Sequence, residues 1–487
     1  MKKAALLVAT ASLAACTVGP DYVSPGIDLT TRFFRGGDTE LLHAATELWW
    51  LKFNDPLLAE YIERGNARSL SLEAALERIN AAQAAVEATG LNAQLDGGLT
   101  VAPAYGGTFG QANSDQFTTT VRFGAEYVFD IFGGQKRSRE QAVARYEAAQ
   151  FNVGAVRIAL ISEITDAYIR ARFFQTAASI TRTTIAARQR LVDTVRQLRA
   201  AGAATQLDVD QALSTLASAK AALPAQENGF EANVIRLAAL LSLPSAHLIE
   251  EMRKGHRQPR PLGFSGAGIP ANLLRNRPDV REAERDYAAA VAGIGIAEAA
   301  LFPSVTLGGT LGLTTGSNQS TVRTWSFGPS INVPVFNRGV LNANRRRAIS
   351  VARQEEIAWR QSVLDAVEDV ETALSNCFHL SRQVSAIEEA LVFARRVVEL
   401  SRAGYQARET SLTDLINAEI ALANERLSLA SSYRDFSLAF SQLQVAAGKG
   451  WAAPGLQTAD EVIPANLEAD PLALPPLKPP VTINKKK

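Results

Sequence analysis

The chain has 487 residues, 47% hydrophobic and 20% charged, which excludes disorder throughout. Its 50 Lys and Arg offset 49 Asp and Glu, so it lacks the basic excess of a dedicated nucleic-acid binder. Two cysteines (Cys16, Cys377) and four histidines exclude a disulfide scaffold and a Cys/His zinc cluster, and no apolar run is long enough for a membrane-spanning helix.

At the N-terminus, Lys2 and Lys3 precede a small and apolar stretch, Ala4 to Ala14, of signal-peptide length. Leu13-Ala14-Ala15-Cys16 follows and looks like a bacterial lipoprotein signal. Cleavage after residue 15 would leave Cys16 first, carrying covalent acyl chains. Each buried acyl CH₂ contributes about 0.8 kcal/mol of anchoring. An ordinary signal peptide with a chance cysteine is the alternative. Thr17, rather than Asp, resembles the class destined for the outer membrane. Residues 1–15 are read as signal and 16–54 as an extended acylated segment.

A first repeat covers 55–260: a helix over about Asp55 to Leu95, a strand hairpin over 97–130, a long helix over 135–201 and a helix over 206–240. Pro224 lies inside the last and should kink it. A second repeat covers 261–451: helix 270–301, hairpin 303–335, long helix 339–402 and helix 411–445. Phe132-Gly133 and Phe336-Asn337 precede the long helices. Asp208 with Ala212, and Asp414 with Ala418, open the helices that follow. These offsets of 204 and 206 imply an internal duplication. The long helices contain no proline and would each reach about 100 Å. Helices of that length need partners of similar length, which the two short helices of each half supply if stacked end to end. Val363, Val367, Val370, Leu374, Cys377, Ser381, Val384, Ile387 and Leu391 form a heptad-like seam. Cys377 is therefore read as a small buried residue. Residues 452–487 form a Pro-rich tail ending in three lysines.

The hairpins alternate with period two. Phe117, Val121, Phe123, Tyr127 and Phe129 occupy odd positions, as do Trp325, Phe327, Ile331 and Val333; even positions are mostly polar or small, Arg122 and Glu126 among them. Polar loops are expected at Gln111 to Asp115 and Thr315 to Thr321. A soluble core against the apolar face has nothing to build it, because both flanks are long helices. The apolar face is expected to meet lipid and the polar face to line water. Four strands cannot close a barrel, and an open edge in lipid leaves backbone groups unpaired. The chain must therefore oligomerise.

Further blocks carry a family resemblance: Arg277-Pro278-Asp279-Val280, Ala283-Glu284, Ile294-Gly295-Ile296-Ala297 and Phe302-Pro303-Ser304. Near the N-terminus, Cys16, Gly19-Pro20-Asp21-Tyr22, Trp49-Trp50, Phe53, Asp55-Pro56-Leu57, Asn66, Ser69-Leu70 and Ala74-Ala75 fit the same pattern, as do Gly448, Gly450 and Trp451 near the end. Across nearly all of its mature length the chain resembles the TolC-type outer-membrane efflux proteins, in their acylated (lipoprotein, NodT-like) subgroup. The resemblance implies a mainly α fold with a membrane β part. In it, a homotrimer shares a 12-stranded β-barrel, and long antiparallel helices form a periplasmic α-barrel. It also implies an exit duct in the outer membrane, anchored in its lipid. The duct would pass drugs or other small toxic molecules delivered by an inner-membrane pump, proton-driven, and a periplasmic adaptor. No enzyme activity, metal or cofactor is implied. A protein-secretion duct and a non-conducting coiled-coil envelope lipoprotein are the alternatives.

In the family the turns after the long helices form the periplasmic tip, which meets the adaptor and pump. Here these are Gly202-Ala203-Ala204-Thr205 and Arg408-Glu409-Thr410-Ser411, with Arg408 where glycine is expected. Asp208 and Asp210, and Asp414 and Asn417, follow. Two readings fit them: like carboxylates ringed around a pore under threefold symmetry as a gate, or helix caps and first-turn acids. Arg345, Arg346 and Arg347 are read as a solvated surface run, with a lipid-headgroup contact as the alternative.

Overall fold

A computed structural model describes residues 17–24, 26, 33–34, 44–107, 116–255, 257–262, 277–317, 319–407 and 409–452. The signal segment, Cys16, Arg408 and nearly all of the tail lie outside the described residues. In the first half, α1 (Pro56–Arg68) and α2 (Leu70–Glu87) lead to β1 (Leu95–Gly106) and β2 (Gln116–Phe129). Then come α3 (Gly134–Ala200), α4 (Gln206–Leu240) and the short α5 (Ser245–Arg253). The second half comprises α6 (Pro278–Ala299), β3 (Ser304–Gly316), β4 (Gln319–Asn332), α7 (Arg338–Ala407) and α8 (Leu412–Ala446).

Several expected boundaries change. The single helix expected over Asp55 to Leu95 is broken by local capping. Asp55 accepts from the Leu57 and Leu58 N–H groups at 3.1 and 3.2 Å, opening α1. Ser69 adopts extended backbone and accepts from the Leu72 N–H at 3.4 Å, ending α1 and opening α2. The loop expected over Thr315 to Thr321 is shorter, because β3 continues to Gly316 and β4 resumes at Gln319. Helix α4 runs through Pro224 without interruption. Proline removes the bond to the Lys220 carbonyl, and both residues are exposed, where water replaces it.

The long helices span 67 and 70 residues, about 100 Å each. As expected from the lengths, α1, α2 and α4 lie along α3, and α8 lies along α7; α6 touches α7 too, but packs more extensively on α3 of the other half. Both α6 and α8 also touch α3, which joins the halves. The main core sits around the middle of the long helices. Trp49, Trp50 and Phe53 meet Leu58, Tyr61, Ile161, Ile164 and Tyr168 there, with Trp359, Val363, Val370 and Phe440 from the second half. Cys377 is fully buried in the same cluster, and burial pushes its thiol up to about 12. It is a packing residue.

The strands form one antiparallel sheet in the order β1-β2-β3-β4. Its register joins odd residues to odd residues: Leu99 to Phe123, Phe123 to Leu311, Leu311 to Trp325. Large apolar side chains therefore share one face, with Val128 and Val322 the exceptions. Among the described residues no other element covers that face; Leu99, Tyr105, Phe123, Leu311, Trp325, Phe327 and Ile331 are all exposed. Burying such side chains is worth about 1.5–3 kcal/mol each, so leaving them in water would be costly. Among the described residues no helix is long and apolar enough to cross a membrane.

Candidate functional site

The opposite face of the sheet is polar and narrow-chained. Arg122 pairs across the strands with Thr100 and Gly312, and Glu126 with Asp96 and Gly308. Thr120 and Thr314 share a hydrogen bond at 3.2 Å, as do Thr310 and Ser326 at 2.7 Å. This surface suits contact with water. At 12–14 residues and about 3.4 Å per residue the strands are long enough to cross a bilayer when tilted. The outer edges of β1 and β4 have no strand partner among the described residues.

The N-terminal strap, Thr17 to Tyr22, lies where strand β2 meets helix α3. The Val18 N–H donates to the Phe132 carbonyl at 3.2 Å. Arg137, 4% exposed along its side chain, donates to the Val18 and Gly19 carbonyls, both at 3.2 Å, and to Asp21 at 2.7 Å. Its other nitrogen bonds Glu140 at 2.7 Å. The hydrogen bond and charge of Arg137 hold the Asp21 carboxyl below its ordinary value. Gly19 has φ +87°, and a β-carbon there would lie 2.5 Å from the Gly295 Cα. Two sequence blocks far apart in the chain thus meet in one contact. Tyr22 and Ser24 extend it by donating to Glu284 at 2.9 and 3.1 Å.

The Arg277 block works as a clamp. Arg277 donates to Asp279 at 3.0 and 2.6 Å, to Asp369 on α7 at 3.0 Å and to the Ala446 carbonyl ending α8 at 3.2 Å. Burial disfavours its charge, but these carboxylates more than compensate and raise its pKa. Pro278 starts α6, where its missing N–H costs nothing.

At the far end of the helices the two turns come together. Gly202 takes φ +74°, and the Ala203 N–H closes on the Leu198 carbonyl at 2.8 Å. In the second half the Glu409 N–H closes on the Gly404 carbonyl at 2.8 Å, the same five-residue span displaced by the repeat. Asp208 and Asp414 both complete capping boxes. The Thr205 N–H and hydroxyl each donate to Asp208 at 2.7 Å. The Ser411 N–H and hydroxyl donate to Asp414 at 3.1 and 2.6 Å. The hydrogen bonds from Ser411 lower the Asp414 pKa.

A groove of about 720 Å³ between the two tip turns is lined by Ala203, Ala204, Asp208, Thr410 and Ser411. Asp210 and Asn417 are exposed and do not line it, and Asp210 accepts from Gln206 at 2.9 Å. Arg402, Tyr405 and Glu419 do line it, although the sequence carries no motif for them. Arg402 pairs with Glu419 at 2.9 Å; burial, with the Asp208 charge second, raises the Tyr405 pKa. Near the sheet, Arg345 pairs with Glu298 at 3.5 Å, while Arg346 and Arg347 are exposed.

The sequence model of the outer membrane efflux protein family matches residues 62–242 and again 269–449. The chain belongs to this family. The double match is the internal duplication, one copy per half. Nodulation protein T of Rhizobium leguminosarum bv. viciae is 36% identical, over 91% of this chain and 92% of its own length. The pyoverdine export outer membrane protein OpmQ of Pseudomonas aeruginosa is 30% identical, over 92% and 95%. Among solved structures the outer-membrane channel OprN superposes with a TM-score of 0.81 at 27% identity, covering 90% of this chain and all of its own. As a family member the chain is a channel-type outer membrane protein of efflux, and its helices and four-stranded sheet are the family fold.

Proposed function

We propose that three copies of the chain close a 12-stranded barrel in the outer membrane and a helical tube below it. The assembly is the exit duct of a tripartite system, passively passing small toxic molecules or other small exported compounds. An inner-membrane pump, proton-driven, loads it through a periplasmic adaptor. The observation that carries this reading is the sheet. Among the described residues it has one bare apolar face, one polar face and two edges without a strand partner, a combination stable in lipid only when neighbouring copies pair those edges. Exposed apolar side chains on α7, among them Ile357, Leu364, Phe393 and Leu400, support further copies beside the helical wall. The names of the relatives, with their pyoverdine, solvent and toluene export, support small molecules as cargo.

Cys16 is proposed to carry the lipid anchor. Its neighbour Thr17 begins the strap at the strand–helix junction, next to where the membrane surface would lie in this reading. The tip turns are proposed to receive the adaptor or pump, and Asp208, Asp210, Asp414 and Asn417 to contribute to a gate. Asp208 and Asp414 would do so while also capping their helices.

Mass measurement of detergent-purified protein and single-channel recording in lipid bilayers test the duct. A trimer that conducts poorly at rest is expected. Combined replacement of Asp208 and Asp414 by asparagine should change cation selectivity; unchanged selectivity removes these residues from the pore. A stable, soluble, non-conducting monomer would refute the duct as a whole.

A further inference from the structure

A second groove, of about 1050 Å³, lies beside the central core and plays no part in the duct reading. Four arginines line it: Arg257 and Arg260 on the segment after α5, Arg395 on α7 and Arg426 on α8. Among the described residues none of the four has a carboxylate partner, whereas Arg402 and Arg434 on the same two helices are both paired. The Arg260 guanidinium stands 3.4 Å from the centre of the Tyr433 ring. The arginine-bearing segment is fixed in place. Gln258 donates to the Ala430 carbonyl and Ser437 to the Pro259 carbonyl, both at 2.8 Å. Leu391 and Leu429 give the groove apolar lining between the charges. One carboxylate, Asp55, also lines the groove, but it is engaged by the Leu57 and Leu58 N–H groups and the Tyr168 hydroxyl. The four cations outnumber it and repel one another, so the groove is complementary to an anionic segment with apolar residues of its own.

The chain contains one. Residues 453–470 hold Asp460, Glu461, Glu468 and Asp470, no Lys, Arg or His, and Val462, Ile463 and Leu467 between the acids. The described chain stops nearby, at Ala452, whose N–H donates to the Ala45 carbonyl at 2.9 Å. Gly450 packs against the Trp49 and Trp50 rings, and Trp49 adjoins Phe53, which lines the groove. Seven residues lie between Ala452 and Asp460, and the eight steps reach about 26 Å when extended.

We propose that residues 460–470 dock in this groove of their own chain, their carboxylates pairing with Arg257, Arg260, Arg395 and Arg426. The docked segment fastens the C-terminus across the joint between the two halves.

The test uses the full-length protein in detergent with Cys377→Ala, Leu262→Cys at the groove rim and Val462→Cys in the tail. Oxidation should form the intrachain 262–462 disulfide, read by mass spectrometry. It should form about fivefold or more faster than in a tail carrying D460N, E461Q, E468Q and D470N, the scale expected when several exposed ion pairs are lost. The exposed pair R257Q and R395Q, with the native tail, should slow it similarly, and high salt should remove the difference. Equal rates in the native and neutralised tails overturn the proposal. So does a purely interchain product, which would give the groove to a neighbour's tail. Absence of the disulfide together with arginine-dependent binding of isolated peptidoglycan also overturns it, in favour of an envelope polymer.

Discussion

Replacing Arg137 with methionine should free the N-terminal strap while leaving helix α3 folded. Methionine keeps much of the aliphatic stem and removes the guanidinium fork. The lost contacts are the hydrogen bonds to the Val18 and Gly19 carbonyls, each 3.2 Å long. Hydrogen bonds from a charged donor contribute about 1.5–3 kcal/mol, and bonds this long belong at the lower end. Their sum, about 3 kcal/mol, corresponds to a roughly 150-fold larger open population of the strap. The Asp21 carboxylate is exposed and screened, so it adds little to that sum. Hydrogen exchange reads the opening directly at the Val18 amide, which donates to Phe132. Exchange there should accelerate by about that factor, with Ile164 in the middle of α3 unchanged. Gly19→Ala should act in the same direction by a separate route, because its β-carbon has no room beside Gly295 and its φ is positive. Because the Asp21 pKa is lowered on folding, its own contribution is present above about 3.8 and disappears only in stronger acid, as pH falls through the folded value. An unchanged Val18 amide in R137M would refute the strap, and uniform acceleration along α3 would show that Arg137 supports the helix instead.

Three further outcomes follow from other parts of the molecule. Leu311→Arg, placed between Phe123 and Trp325 on the apolar face, should cost about 2–4 kcal/mol near the bilayer midplane and reduce the yield of heat-modifiable oligomer. Thr310→Arg, one residue away on the polar face, should be near neutral in the same assay. Thr205→Ala and Ser411→Ala should each cost about 1 kcal/mol of local helix stability, read as faster exchange of the Asp208 and Asp414 amides. Cys377 should resist alkylation until the protein unfolds. Its thiol is raised in the fold, so its neutral form favours folding below its ordinary value of 9.0, and that advantage declines as pH rises toward about 12.

The features legible in the sequence are those set by periodicity. Val363, Val370, Leu374 and Cys377 recur at heptad-like spacing and are all fully buried. Alternation predicted which side chains of the strands share a face. The Ser69 break between α1 and α2 was less legible, because serine in a helical pattern can face outward or cap, and only its backbone geometry separates the two. Arg137 was not legible at all: its strap partners lie more than a hundred residues away, and no local pattern marks it. The Arg277 block stood out as a motif, but its mechanical role depends on Asp369 and the end of α8. At the tip, Asp208 and Asp414 were open between capping and a pore ring. Their capping bonds are made within one chain, whereas a ring needs neighbouring copies, so the single chain resolves only the first.

Strand parity also constrains how copies meet. Within the chain three successive ladders join odd residues to odd residues, which keeps one apolar face across all four strands. If β4 of one copy pairs with β1 of the next, the strands run antiparallel, since direction alternates along the sheet. The new ladder must preserve the same parity. A shift of one residue would turn Trp325, Phe327 and Ile331 to the opposite face from Leu99, Val101 and Tyr105, interrupting the apolar belt at every junction. Only shifts by even numbers of residues keep it continuous. The β3–β4 ladder has its irregularity between Thr314 and Gly316, at the hairpin end, so the odd-to-odd register is intact over the rest of its length. Cysteine pairs placed between β1 and β4 of neighbouring copies should therefore cross-link when both positions are odd or both even. Efficient odd-to-even cross-links directly across the junction would mean that the sheet closes by another geometry.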